Sequence, residues 1–422
     1  MVETAALRAA SSDVLLRIVL SFVEGVVVDL VAEGAGVAPG LVELRRELHR
    51  IPEVGLQLPK TQAMVLDAVA GLPLEVSTGK ELTSVVGVLR GGRPGPTVLL
   101  RGDMDALPVA EETDLEYAAG NGNMHACGHD LHTAGLVGSA QLLSTHREEL
   151  HGNVLFIFQP GEEGLGGAGY MLREGLLEAT GDKPIAAYAI HVWSQEASGI
   201  FQTRPGTIMA GSNQLHITVR GKGGHGSSPD KTIDPVPVVA ELVLALQTYA
   251  TRRTNVFDPV VITVTQLEAG VAINVIPNTA RLGATVRTLS DATFQQLSHE
   301  LPSLAEKIAA AHGCTVDANF VPQYPVTVND AERTAETSAV LQQLLGAERV
   351  QPLDNPLMGS EDFSMVLQEV PGTFVMLGAR PDDVDADGAP SNHSSVVRFD
   401  DVVLGDQAAA LAQLAVNHLI PA

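Results

Sequence analysis

Residues 154–164 read VLFIFQPGEEG. Val154–Gln159 is an apolar run of strand length, and a proline and a glycine follow it directly. A buried strand there delivers Glu162 and Glu163 just past its carboxyl end, where α/β proteins place their active sites. Working outward, Val85–Leu89, Thr97–Arg101 and Ile185–Ile190 read as further buried strands, and Leu131–Ser144 as a helix between them. Strands alternating with helices predict an α/β architecture around a mixed, largely parallel sheet.

From about Gly211 the pattern changes. Leu215–Arg220 reads as a strand. A helix then starts at Asp234-Pro235, with a capping acid and a proline in its first turn, and runs to about Thr251. Strands Val260–Leu267 and Thr279–Arg287, helix Asp291–Ala311 and strand Thr315–Val321 complete the order βαββαβ, that of the ferredoxin-like split unit. Beyond Pro325, a helix (Ala331–Leu345), a strand (Thr373–Leu377) and a terminal helix (Asp401–Leu419) are too few for a third domain, so they complete the first. The expected organisation is an N-terminal extension over 1–40, a first domain in two parts (41–211 and 326–422), and an inserted module over 212–325. Hinges are expected near Ala210–Ser212 and Tyr324–Val326. A Gly-rich break over Gly34–Gly40 should precede the helix marked by Leu41, Leu44 and Leu48.

The 422 residues carry 26 Lys and Arg against 50 Asp and Glu, a net charge of −24. Such a surface repels nucleic-acid phosphates and anionic membranes, so no nucleic-acid or membrane partner is expected, and an anionic substrate needs a locally placed cation. With two cysteines, Cys127 and Cys314, no disulfide scaffold can form. Val14–Val31 is apolar, but Arg17, Glu24 and Asp29 interrupt it and it lacks a secretory cleavage pattern; it reads as an amphipathic helix, and the expected compartment is the cytoplasm.

Chemistry-bearing residues collect at the strand ends: Asp103 and Asp105 in 102–105, Cys127, His129, Asp130 and His132 in 127–132, Glu162-Glu163, and His191. His393 lies in the loop before the terminal helix. Thiolate and imidazole two residues apart suit zinc and its neighbours; Cys127 alone could be a plain buried thiol or a nucleophile beside His129, but the company of several histidines and paired acids at strand ends weighs against both. Asp130 and His132 read as capping and lining the helix. Adjacent acids leaving a strand diverge, so one of Glu162 and Glu163 can bind metal while the other serves a reacting water. In the inserted module His225, among glycines, is either a turn residue or an electrophile, and Arg287 either a carboxylate clamp or a surface arginine. The remaining histidines, His49 and His125 among them, read as structural or surface residues.

The ordered series Arg45–His49, Gly102–Pro108, His125–Asp130, Gln159–Gly164, Gly223–Ser227, Ile273–Pro277, Ala284–Thr288, Gly359–Phe363 and Asn392–Ser394 resembles the M20 metallopeptidase family, in particular its amidohydrolase branch. The resemblance covers roughly Leu41 to the C-terminus. It implies a binuclear-metal catalytic domain interrupted by a lid that dimerises, giving a homodimer or higher homo-oligomer. It implies two divalent ions per subunit, zinc, manganese or cobalt, with Cys127 bridging and His129, Glu163, His191 and His393 as the other ligands. Glu162 would be the base, His225 a holder of the scissile carbonyl, Asn274 and Arg287 substrate contacts, and Asp105 a support for a ligand. The implied reaction is hydrolysis of an N-acyl amino acid, with acetyl, benzoyl or indole-acetyl among the acyl groups. A metal-free cysteine hydrolase using Cys127 and a noncatalytic metal or ligand carrier are the alternatives. The chain departs from the family in its longer start and in Ser394-Ser395, where Ser-Pro is common.

Overall fold

The computed structural model describes residues 29–421, in two compact units. The first comprises the described residues up to Thr203 together with Asp330–Pro352 and 370–421; the second comprises Arg204–Asn329 and Leu353–Glu369. Most of the helix expected over 14–31 lies outside the described residues. Among the described residues no helix is long and apolar enough to cross a membrane.

The first unit is built on an eight-stranded mixed sheet. Its spatial order is Leu74–Thr78, Val85–Arg90, His151–Gln159, Arg93–Asp103, Ala186–Ala197, Gly372–Arg380, Phe201–Thr203, Val350–Pro352. The four strands at its centre, from His151–Gln159 to Gly372–Arg380, are parallel to one another. Their middle stretches are apolar because helices cover them: Phe156, Phe158, Leu100, Tyr188, Val375 and Leu377 all belong to one buried core with the helices His129–Thr145 and Val403–Leu419. The parallel arrangement aligns the carboxyl ends of His151–Gln159 and Arg93–Asp103, so that Asp103 pairs in register with Gln159.

Two expectations need correction. Gly34–Gly40 is no break: one helix runs Leu30–Arg50, capped by Asp29, whose side chain accepts from Ala32 N–H. Gly34 serves close packing there, since a Cβ at that position would stand 2.5 Å from the Gly405 carbonyl oxygen. Pro39 is tolerated because both it and Ala35, whose carbonyl loses its helical donor, are exposed. The strand expected to end near His191 instead continues to Ala197, held by parallel pairing with Gly372–Arg380.

In the second unit, Gly211–Arg220, Pro235–Arg252, Val261–Ala269, Thr279–Thr288, Asp291–Ala311 and Thr315–Tyr324 follow one another as βαββαβ. The strands form a four-stranded antiparallel sheet, and Leu215, Ile217, Leu242, Leu246, Leu297 and Leu301 fill the core between it and the two helices. Asp234 and Ser290 cap those helices by accepting from Val236 and Thr293 N–H. Leu353–Glu369, which the sequence assigns to the second part of the first domain, clusters with this unit.

Packing at Gly34 sets a stability prediction. Gly34→Leu should destabilise by ~1–3 kcal/mol through overpacking. Gly36→Ala in the same helix has open space for its methyl and should stabilise by ~0.5–1 kcal/mol. Urea midpoints moving in the same direction for both variants would contradict this helix packing.

Candidate metal centre

The parallel strands and the helix beginning at His129 bring five predicted side chains together. Cys127 Sγ lies 3.4 Å from His191 Nε2 and 3.2 Å from His393 Nε2. His393 Nε2 is also 3.2 Å from Glu163 Oε1, which stands 4.0 Å from His129 Nε2. Three overlapping groups each have ligand atoms within 4.8 Å of one another: Cys127–His129–His191, Cys127–Glu163–His393 and His129–Glu162–Glu163. Cys127 belongs to two of them.

Local backbone geometry makes this convergence possible. Gly128 takes φ 85 between Cys127 and the helix, and a Cβ there would strike Val192 Cγ2 at 2.3 Å. Gly161 takes φ 77 between the strand and the acidic pair, with Leu56 Cδ2 2.4 Å from where its Cβ would be. His393 is itself left-handed, φ 73, and among the described residues it is the one non-glycine with positive φ. Its N–H donates to the Ala126 carbonyl at 2.8 Å, which ties this strained turn to the Cys127 loop. Asn392 ties the same turn to the strand Ala186–Ala197, accepting from Ser194 N–H and donating to the Val192 carbonyl, both at 3.0 Å.

Asp105 holds the acidic pair. Its two carboxylate oxygens accept from the Glu162 and Glu163 N–H groups at 3.0 Å each, and its backbone carbonyl accepts from His129 Nδ1 at 2.8 Å. That bond turns the buried His129 Nε2 toward Asp103 Oδ2 at 3.4 Å and Glu163 Oε1 at 4.0 Å. His191 Nδ1 donates to the Val192 carbonyl at 2.8 Å, which turns its Nε2 toward Cys127. A thiol, three imidazole nitrogens and a carboxylate facing one another are the donors that a divalent cation of intermediate softness takes, so the donor set fits a metal.

Proton affinities reflect the crowding. Contact with Cys127 and Glu163 raises the His393 pKa to about 10. Burial would lower that of His129, but Asp103 and Cys127 reverse it and hold it well above the ordinary value. At His191 burial dominates, reinforced by His132, and the pKa falls well below 6.5. Burial works to raise that of Glu163, yet His393 and His129 lower it. A cation entering here must therefore displace protons from His129 and His393.

The other predicted residues lie in the second unit. His225 is exposed, in a two-residue strand paired with Val275–Ile276. Its Nδ1 accepts from Ser227 N–H at 3.1 Å, so the neutral ring carries its proton on Nε2. Asn274 is nearby, its carbonyl accepting from Gly226 N–H at 2.8 Å. Arg287 is half-buried and donates to Ser360 Oγ at 2.8 Å; burial lowers its pKa.

The sequence reading missed a buried network that includes Asp130, next in the chain to His129. Arg45 Nε lies 2.8 Å from Asp130 Oδ2, which His49 Nδ1 approaches at 2.7 Å. Arg45 also donates to Tyr117 Oη at 2.7 Å and lies 3.2 Å from Asp401 Oδ1. The spacing of Arg45 and His49, four apart on the same helix face as buried Leu41 and Leu48, was the available signal.

The sequence pattern of Peptidase family M20/M25/M40 matches residues 99–416. The chain belongs to that family. Thermostable carboxypeptidase 1 of Saccharolobus solfataricus is 38% identical over 382 residues, 89% of this chain and 95% of the relative. N-acetylcysteine deacetylase of Bacillus subtilis is 32% identical over 378 residues, 89% and 96% of the two chains. The crystal structure of Bacillus subtilis YXEP protein, a dinuclear metal binding peptidase from the M20 family, superposes with a TM-score of 0.78 at 30% identity, covering 92% of this chain and 100% of that one. As an M20-family chain, this protein is a hydrolase of amidohydrolase type.

The buried network yields a pH prediction. Burial alone would lower the His49 pKa, but Asp130 and Glu111 reverse the shift and raise it. Such a group contributes stability that is fully present below its unfolded pKa, ~6.5, and is lost as pH rises through the folded one. His49→Gln should therefore cost more stability near pH ~6 than near pH ~9, read from urea midpoints. A deficit that grows with pH would show His49 to be neutral in the fold.

Proposed function

We propose that this protein is a metal-dependent amidohydrolase that cleaves the amide bond of N-acyl amino acids, with an acetyl, benzoyl or similar acyl group, to a carboxylic acid and a free amino acid. The observation that carries this reading is the meeting of Cys127, His191, His393 and Glu163 beside the Glu162-Glu163 pair. Kinship with a deacetylase of an N-acetyl amino acid supports it.

Cys127, shared between two ligand groups, would with His129, Glu163, His191 and His393 hold two divalent ions (zinc, manganese or cobalt), whose chemistry when bound is to acidify water and polarise the amide carbonyl. Glu162, buried at 6% exposure, takes the proton of the attacking water and passes it to the leaving nitrogen. The new C–O bond thus forms and the C–N bond breaks with no proton left over. Asp105 keeps Glu162 and Glu163 at fixed separation by gripping both backbone N–H groups. His225, with its proton on Nε2, is a donor suited to the carbonyl oxygen, and Arg287 and Asn274 are the contacts for the substrate's carboxylate and amide. A local guanidinium lets a chain of charge −24 take an anion. Cytoplasmic residence, pairing of chains through the second unit, and that unit's action as a lid belong to the same proposal.

Metal analysis of the purified protein, joined to hydrolysis assays on N-acetyl, N-benzoyl and indole-acetyl amino acids with and without chelator, tests the reading. It predicts bound divalent metal and turnover that chelator abolishes. Turnover that survives chelator and is lost on thiol alkylation would instead identify a cysteine hydrolase. Glu162→Gln should retain its metal and lose ~10²–10⁴ in kcat. Near-normal kcat in that variant would remove Glu162 from the role of base.

A further inference from the structure

His132 shares its helix with His129 and lies within ligand distance of Asp103 and His129, so it has the makings of a ligand. Its hydrogen bonds assign it differently. Val192 N–H donates to His132 Nε2 at 2.8 Å, which leaves the ring proton on Nδ1, and Nδ1 donates to Asp103 Oδ1 at 2.5 Å. Asp103 Oδ2 is in turn held by Arg101 Nη1 at 2.6 Å. Both nitrogens of His132 are thus engaged within the protein, and its ring packs edge-on against that of His191 at 4.6 Å between centroids. Val192, fixed on one side by His132, is the residue whose carbonyl accepts from His191 Nδ1 at 2.8 Å.

We propose that His132, anchored by Asp103 and Arg101, is a positioning residue for His191: it holds the N–H of Val192, the residue whose carbonyl takes the His191 Nδ1 proton, and packs against the His191 ring, so that His191 Nε2 faces Cys127 as a lone pair ready for metal. This rests on the reading of Cys127 and His191 as metal ligands and extends it to a residue that binds no metal itself. Gly102 lets the helix backbone at His132 come close to the strand that carries Asp103: a Cβ there would stand 2.7 Å from the His132 carbonyl oxygen. Side chains that orient a metal-binding imidazole commonly change metal affinity 10- to 100-fold when removed.

The test uses the full chain in three forms, wild type, His132→Phe and His132→Gln. Gln offers Val192 N–H a replacement acceptor, whereas Phe leaves that buried donor unpaired. Two readouts are taken: cobalt(II) affinity by titration, and the tautomer of the His191 ring by ¹⁵N NMR of the metal-free protein. The proposal expects affinity roughly 10- to 100-fold weaker for Phe, substantial recovery for Gln, and loss of the single Nδ1–H tautomer of His191 only in Phe. Equal weakening in both variants with the His191 tautomer intact would make His132 a ligand and overturn the proposal, as would unchanged affinity in Phe. Should Phe fail to fold, Asp103→Asn gives the same comparison, with an altered His191 tautomer expected and an unaltered one contradicting. Wild type that binds no cobalt would instead refute the metal reading on which the proposal rests.

Discussion

The first unit depends on one constraint: a thiol, three imidazoles and a carboxylate must be held close together, mostly out of water, near the ends of largely buried strands. Side chains of this kind repel, pair or change protonation when crowded, and no hydrophobic packing would choose to gather them. The opposed pKa shifts of His191 and His393, down by burial and up by hydrogen bonds to Cys127 and Glu163, record that crowding. Cys127 stands at the centre of it. Its sulfur faces nitrogens that come from positions 191 and 393, so the parallel pairing of Ala186–Ala197 with Gly372–Arg380 is a precondition of the chemistry.

Around the centre, the candidate side chains are oriented by groups behind them. Asp105 grips the Glu162-Glu163 backbone, Val192 sets the His191 ring, and Asn392 joins the His393 turn to the adjacent strand. Deeper, Arg45, Asp130, His49 and Asp401 form a buried charged network. Removing one partner from such a network strands the other charge, at a typical cost of about 3–5 kcal/mol. Fold and site thus share residues: Asp130 follows His129 directly in the chain, so the network that ties Leu30–Arg50 to the core also anchors the helix bearing a candidate ligand.

Much of this was legible in the sequence because the signals were local. Apolar runs bounded by Gly and Pro marked the central strands, and Asp234-Pro235 marked a helix start that the structure caps as expected. The acidic pair after Val154–Gln159 stood out for the same reason. What escaped was set by tertiary contact. Gly34 and Pro39 look like a helix break until the Gly405 backbone is seen to need the space beside Gly34. The strand carrying His191 runs on to Ala197 because a partner from position 372 onward pairs with it, and no spacing reveals that. His132 read as a helix-lining residue, whereas its bonds to Asp103 and Val192 depend on three separate segments meeting.

The central claim is that the Cys127 sulfur binds metal, and the most direct measurement is the absorption spectrum of the cobalt(II)-loaded protein. A thiolate-to-cobalt charge-transfer band that disappears in Cys127→Ser while the wild-type fold persists is the predicted result. Tightly bound cobalt with no such band, or a band that survives in Cys127→Ser, would contradict it.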